Sequence, residues 1–368
     1  MTESLYLHIP FCDHLCHYCD FPKVLKGTFS EACYLDCLLK EIESFSIPDH
    51  SLKTIYIGGG TPSALSPDNL KKLLSYLYKH FFPVVEFTVE ANPESLTEEK
   101  MALMKAYGVN RISLGVESSN DRILSKLNRA HRITDVKKSV ALLKYSGFDN
   151  INLDFIYGLE GTDLSDVKND LNFALGQNVT HLSFYSLQIE EGTVFYNKNV
   201  KADDDSILAN MYQEIVTTLS KNGFSRYEVS NFARTGYESK HNLTYWHDQG
   251  YYAAGLGASG YVLDTRYINT KSMNRYLQGK TRASEDHISI QDHEFEYLML
   301  HLRLVSGFSI TEFNRLFSKD FLPYYRKGIQ EVKDYVVVED GYFKIRPEYL
   351  YTMDNILLSL LILPEDLS

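Results

Sequence analysis

Three thiols stand close together near the start of the chain. Cys12, Cys16 and Cys19 are spaced C-x3-C-x2-C within Leu5-Tyr6-Leu7-His8-Ile9-Pro10-Phe11-Cys12-Asp13-His14-Leu15-Cys16-His17-Tyr18-Cys19-Asp20-Phe21. A loop of that length folds back on itself, so the three sulfurs can converge on one small object. Thiolates are soft ligands that suit iron–sulfur clusters and zinc. A structural zinc ion takes four closed ligands, whereas three cysteines leave one metal corner open to a substrate or cofactor. A zinc loop completed by His14 or His17 is the alternative, as are three thiols without a common ligand. Further polar candidates follow. Gly58-Gly59-Gly60-Thr61-Pro62-Ser63 lets backbone approach a ligand closely. The same run also suits a tight turn into a helix capped by Ser66, with Pro67 at its first position. Glu90, Glu117, Arg129 and Asp154 each stand at or near the end of an apolar segment, where a lone charge is commonly just solvated.

The elements that must position these residues alternate. Strand-like segments read Leu5–Ile9, Thr54–Ile57, Glu86–Glu90, Arg111–Val116, Asn150–Ile156 and His181–Leu187. Amphipathic stretches lie between and after them, at about 30–45, 67–80, 97–107, 133–146, 163–177 and 203–221. Such alternation predicts parallel strands with right-handed crossovers. Six units fall short of a closed eight-fold barrel, so the expected fold is α/β, a partial, open (β/α)6 barrel. An open doubly wound sheet is the alternative, and the glycine spacing after the first strand does not support it. In a barrel the functional residues gather at the strands' C-terminal ends. The cysteine loop, the glycine run, Glu90, Glu117 and Asp154 all sit there.

In combination these motifs resemble a known family. C-x3-C-x-aromatic-C after a first strand is similar to the cluster loop of radical S-adenosylmethionine (SAM) enzymes. In that superfamily three cysteines hold a [4Fe–4S] cluster whose fourth iron is chelated by the methionyl group of SAM. Tyr6-Leu7-His8-Ile9-Pro10-Phe11-Cys12, Gly58–Ser63, Glu90-Ala91-Asn92-Pro93 and Asp154-Phe155-Ile156-Tyr157-Gly158-Leu159 resemble the oxygen-independent coproporphyrinogen III oxidase-like branch. The resemblance implies cluster ligation by Cys12, Cys16 and Cys19. It also implies SAM contacts by Tyr6, Tyr18, Gly59, Gly60, Thr61, Glu90, Arg129 and Asp154. Glu117 falls where the family usually has glutamine; a carboxylate keeps an acceptor but loses a donor, so its contact is the least secure.

Two functions share that scaffold. The oxidase motif has another cysteine two residues past the third, and here that place is Phe21; the oxidase's N-terminal extension is also absent. His241-Asn242-x-x-Tyr245-Trp246 is similar to a pattern of the heme-chaperone (HemW-type) branch, whose members bind heme and are thought to deliver it to respiratory membrane proteins. The expectation is a cluster- and SAM-binding heme carrier, with His241, Tyr245 and Trp246 as candidate heme contacts. The catalytic residues, if any, are unassigned, and the oxidase is the alternative. For His241 the simpler role is a hydrogen-bonded histidine pinning its segment to the barrel.

The expected organisation is a core barrel over 1–230, a connecting segment over 231–283 and a winged-helix-like C-terminal domain over 284–368. That last domain is read from helices at Phe295–Leu304, Thr311–Phe317 and Gly328–Val332, then Val336–Val338 and Tyr342–Ile345 about a turn at Glu339-Asp340-Gly341, then a helix over Thr352–Leu363. Cys33 and Cys37, spaced i,i+4, are expected to be core thiols. A net charge of −11 argues against nucleic-acid partners. Five cysteines, three of them at ligand spacing, suit a reducing cytoplasm. Transient membrane contact would come only with delivery of heme.

Overall fold

A computed structural model describes residues 2–361. Six parallel strands lie side by side in chain order: β1 (Ser4–Ile9), β2 (Thr54–Gly59), β3 (Glu86–Ala91), β4 (Arg111–Glu117), β5 (Asn150–Tyr157) and β6 (His181–Ser186). Helices α1 (Glu31–Ser44), α2 (Pro67–Phe81), α3 (Glu98–Ala106), α4 (Asp121–Lys126), α5 (Ile133–Tyr145), α6 (Leu164–Gly176) and α7 (Asp205–Lys221) cover the outside. Strand order matching chain order, with a helix in each crossover, is the partial (β/α)6 barrel that the alternation predicts.

Side chains along each strand alternate with period two. One set, including Leu5, Leu7, Ile55, Ile57, Phe87, Val89, Ile112, Leu114, Ile151, Leu153, Leu182 and Phe184, is buried in a single apolar cluster with the helices. The other set is polar: Ser4, Tyr6 and His8; Thr54 and Tyr56; Glu86, Thr88 and Glu90; Arg111 and Ser113; Asn152 and Asp154; His181, Ser183 and Tyr185. Register places these side by side, with Tyr6 beside Tyr56, Glu90 beside Ser113, Ser113 beside Asn152 and Asp154 beside Ser183. The barrel thus has a greasy outside under its helices and a polar inside.

Residues 231–283, read from sequence as a connector, are built into this body. β7 (Asn231–Ala233) pairs antiparallel with β6 and, on its other side, with the two-residue strand Ser225–Arg226, and β8 (Tyr252–Gly255) pairs parallel with β1, giving a nine-stranded sheet. β7 and β8 have only three and four residues, too short for a visible alternation. Helix α8 (Lys240–Trp246) lies between them in sequence and sits under the barrel. A three-stranded antiparallel sheet of β9 (Ser259–Val262), β10 (Thr265–Asn269) and β11 (Arg282–His287) follows.

The C-terminal part has its own apolar cluster, built on Leu298, Phe308, Phe313, Phe321 and Phe343. Its order is α9 (Ile290–His301), β12 (Phe308–Ser309), α10 (Ile310–Phe317), two short helices at Phe321–Tyr324 and Arg326–Glu331, β13 (Val336–Glu339), β14 (Tyr342–Ile345) and α11 (Met353–Leu360). β12, β14 and β13 form one antiparallel sheet. Helix–strand–helix–helix–hairpin is the winged-helix-like arrangement expected. Ser289 caps α9 by accepting from Asp292 N, so that helix starts five residues before the predicted Phe295. Residues 362 and 363 of the predicted last helix lie outside the described residues.

The core-thiol reading of α1 is corrected for Cys33, while Cys37 packs partly buried against the apolar cluster. The buried stripe of α1 is Tyr34, Leu35, Leu38, Glu41 and Ile42, and Cys33 falls off its edge. Cys33 is exposed and Cys37 half-buried, its Sγ 3.7 Å from the Leu277 carbonyl.

Candidate functional site

A single cavity of about 870 Å³ opens at the C-terminal ends of the strands and runs into the barrel. Cys12, Cys16, Cys19, Tyr6, Tyr18, Gly59, Gly60, Thr61, Glu90, Glu117, Arg129 and Asp154 all line it, with His14 and Phe21 beside the thiols. Cys12 is buried at the foot of the loop, pinned where Phe11–Cys12 pairs with Val24–Leu25. Two of the sulfurs face donors: the Thr61 hydroxyl lies 3.6 Å from Cys12 Sγ, and an Arg129 terminal nitrogen 3.4 Å from Cys16 Sγ. Burial pushes the Cys12 thiol up to about 11 and raises Cys19 as well.

The glycine run is a place where side chains do not fit. A Cβ on Gly60 would stand 2.8 Å from Cys12 Sγ and from the Pro10 carbonyl oxygen. One on Gly59, at φ +117°, would stand 2.8 Å from the His8 ring. The turn reading is satisfied too, because Ser66 accepts from Asn69 N at 3.4 Å. Glu90 is held against this run. Its Oε1 accepts from Tyr56 at 2.7 Å and its Oε2 from Gly59 N at 3.1 Å. Burial nevertheless raises it to about 7, with the nearby Asp154 adding to the rise.

Arg129 reaches across the strand ends. It donates to Asn92 Oδ1 at 2.8 Å and to the Gly115 carbonyl at 2.9 Å, and lies 3.6 Å from Glu117 Oε1. Its Nε is buried without an acceptor among the described residues. Glu117 sits in the left-handed region at φ 66°, a conformation that costs a non-glycine residue on the order of 1 kcal/mol. Asp154 accepts from Ser113 and from Asn152, each at 2.8 Å.

At the barrel's other end, α8 forms a plug. Glu86 accepts from Lys240 N and His241 N, both at 2.9 Å, so a carboxylate caps the positive end of α8 from inside the barrel. His241 does not face the cavity. Its ring is fully buried, stacks on Tyr56, and has both nitrogens engaged: Nδ1 with Thr54 Oγ1 at 2.7 Å and Nε2 with the Tyr245 hydroxyl at 2.7 Å. The hydroxyl network fixes the tautomer. Thr244 donates to the Lys240 carbonyl, Ser4 to Thr244 and Thr54 to Ser4, so Thr54 must accept from Nδ1–H. Nε2 then accepts from Tyr245. Burial and the Arg111 charge hold this histidine down at about 3, neutral. His241 is thus corrected from a candidate heme ligand to an anchor, while Tyr245, Trp246 and Asn242 on the same helix do line the cavity.

The cavity also brings in residues that the motifs did not single out: Tyr56, Arg111, Ser113, Asn152, Ser183, Tyr185, Asn231 and Arg303. Most occupy the polar register of β2 and β4–β6. The signal was there, since polar side chains at every second position of otherwise apolar parallel strands mark an interior that is not a dry core. Arg303, from beyond α9, carries no such signal.

Comparison with known proteins now decides the family. The chain is 41% identical over 339 residues to the heme chaperone HemW of Lactococcus lactis, covering 90% of this chain and 89% of that protein. The chain belongs to the HemW-type family of radical SAM proteins. It is 39% identical to HemW of Bacillus subtilis, over 84% of this chain and 86% of that one. With HemW of Escherichia coli it shares 34% identity over 84% and 85%. The Radical SAM superfamily model matches residues 6–174, a span that begins within β1 and ends within α6. The coproporphyrinogen III oxidase of Escherichia coli, described as a radical SAM enzyme, superposes with a TM-score of 0.85 at 20% identity, over 97% of this chain and 89% of that one. At that identity the likeness is one of fold.

The HemW-type assignment implies a cluster and SAM, and the donor set fits both. Three thiols share a cavity wall with hydroxyl and guanidinium donors, as sulfur ligands of a cluster commonly do. The glycine cradle and the orphaned Arg129 Nε leave hydrogen-bonding capacity for a polar cofactor. Among the described residues no three His, Cys, Asp or Glu side chains already gather around a single metal-ion position, so the three thiols line the cavity without being drawn together. No helix among the described residues is long and apolar enough to cross a membrane.

Proposed function

We propose that this protein is a heme carrier in which Cys12, Cys16 and Cys19 hold a [4Fe–4S] cluster. SAM then lies against Gly59, Gly60, Thr61, Glu90, Glu117, Arg129 and Asp154, with Tyr6 and Tyr18 flanking it. When bound, the cluster supplies an open iron for the methionyl group of SAM and an electron for its reduction. The protein's own groups orient the cofactor. Glu90 offers a carboxylate to an amino group or ribose hydroxyl, and Arg129 fixes the strand-end loops around Cys16. The observation that carries this reading is one cavity with the three thiols at one end and Tyr245 and Trp246 at the other, in a chain whose relatives are named heme chaperones. Tyr245 and Trp246 would flank the macrocycle, and a cytoplasmic carrier would pass its heme to respiratory membrane proteins.

The test is a pair of assays on anaerobically reconstituted protein. Added heme should shift the Soret band at a stoichiometric end point, and coproporphyrinogen III should remain unconverted. Efficient formation of protoporphyrinogen would replace the carrier with the oxidase.

Glu90 gives a second test. With its carboxyl held near 7, it is mostly protonated at pH 6 and mostly ionised at pH 8. The ionised carboxylate is the stronger acceptor for an amino N–H or a ribose hydroxyl, so SAM affinity should rise between those pH values. In Glu90→Gln this component of the rise should vanish. Equal pH profiles for the two proteins would remove Glu90 from the SAM contacts.

A further inference from the structure

At the end of the cavity away from the thiols, one cation is set up for an anion. Arg303 lines the cavity with Trp246, Asn242, Ser230 and Asn231. Its guanidinium lies over the Trp246 ring at 4.5 Å, and its Nε donates to Glu228 Oε2 at 3.0 Å. Glu228 is fully buried and itself fixed, its Oε1 accepting from Ser230 N at 2.8 Å and from Asn231 Nδ2 at 2.5 Å. The seam around it is tied by the Val305 N to Tyr227 carbonyl bond at 3.1 Å and by the Glu228–Leu304 bridge. One edge and one face of the guanidinium are therefore occupied. The Nε bond is the only hydrogen bond it makes among the described residues, which leaves its two terminal nitrogens as a fork. The Trp246 indole N–H is buried without an acceptor among the described residues. A planar fork pre-set by stacking and a side-on ion pair is the arrangement that binds a carboxylate with two parallel bonds. A buried donor lacking a partner gains most from a ligand acceptor.

We infer that Arg303, with the Trp246 indole N–H, forms a carboxylate subsite that holds an acid group of the cargo at the seam between the barrel and the C-terminal unit. This rests on the heme-carrier reading and adds to it that recognition is of the porphyrin's carboxylates, by a residue the C-terminal unit contributes. Glu228 cancels part of the Arg303 charge, so the subsite selects by fork geometry more than by net field.

The test compares heme with heme dimethyl ester, which keeps the ring and iron and removes both carboxylates. Titrations use reconstituted full-length protein as wild type, Trp246→Phe and the double variant Arg303→Gln/Glu228→Gln. The double variant leaves no buried carboxylate unpaired and is checked for a native thermal transition. Wild type should prefer heme to its ester by about tenfold or more. The double variant should lose that preference by weakening heme alone, and Trp246→Phe should lose part of it, with SAM affinity unchanged in both. Equal wild-type affinity for acid and ester would overturn the inference. So would parallel losses for both ligands in the variants, or a loss of SAM affinity in their place. A wild-type protein that binds neither ligand would overturn the carrier reading itself.

Discussion

Changing any one of Cys12, Cys16 or Cys19 to alanine is expected to bring the cluster's visible absorbance and acid-labile sulfide to background after anaerobic reconstitution. The expectation is all-or-none because each thiol would hold a different iron corner, and a cluster with two protein ligands has no enclosure. Cys12 is the most demanding of the three. It is 5% exposed, at the foot of the loop, where a Cβ added to Gly60 would stand 2.8 Å from its sulfur. Cys33→Ala supplies the control, since Cys33 lies on the solvent side of α1 and should reconstitute like wild type. His14→Ala and His17→Ala together separate the metals. A zinc loop would need an imidazole or a fourth thiol to close, whereas a cluster that keeps its fourth iron open would be indifferent to both. Zinc without sulfide in the wild-type protein would sink the cluster assignment.

The barrel was legible in the sequence because its signals are local. Each of β1 to β6 is an apolar run with period-two polar positions, and each is followed by a helix with its own cap, such as Ser66 for α2 and Thr97 for α3. The thiol loop was legible for the same reason: its three ligands fall within eight residues. What was not legible depends on pairings far apart in the chain. β8 joins β1 across about 250 residues, and a four-residue strand of Tyr-Ala-Ala-Gly announces neither its partner nor its direction.

The same distance hid the division of labour on α8. From sequence, His241, Tyr245 and Trp246 formed one aromatic group that suggested a macrocycle. In the fold, one turn of helix separates an anchor that looks into the base of the barrel from two rings that look into the cavity. Only the contact of His241 with Thr54, 187 residues earlier, reveals the difference. Arg303 is the opposite case, a residue with no motif around it that becomes part of the site because Glu228 and Trp246 hold it there.

His241→Ala is expected to destabilise the protein by about 3 kcal/mol while leaving the Soret position of bound heme where it is in wild type. The loss has two sources. Removing the ring empties a fully buried site between Tyr56 and Tyr245, and it strands the Tyr245 hydroxyl and the Thr54 oxygen without their partner. Tyr245→Phe separates the two sources, because it keeps the packing and removes one bond to Nε2; it should cost about 1 kcal/mol. Denaturant melts of the two variants give the stability difference. Heme titration below each variant's transition gives the spectrum. A histidine bound to iron through either nitrogen would have to give up Thr54 or Tyr245 and leave the base of the barrel. An axial role would therefore appear as a shifted Soret band in a His241→Ala protein of near wild-type stability. The anchor role predicts the reverse pair, a lowered midpoint and an unmoved band.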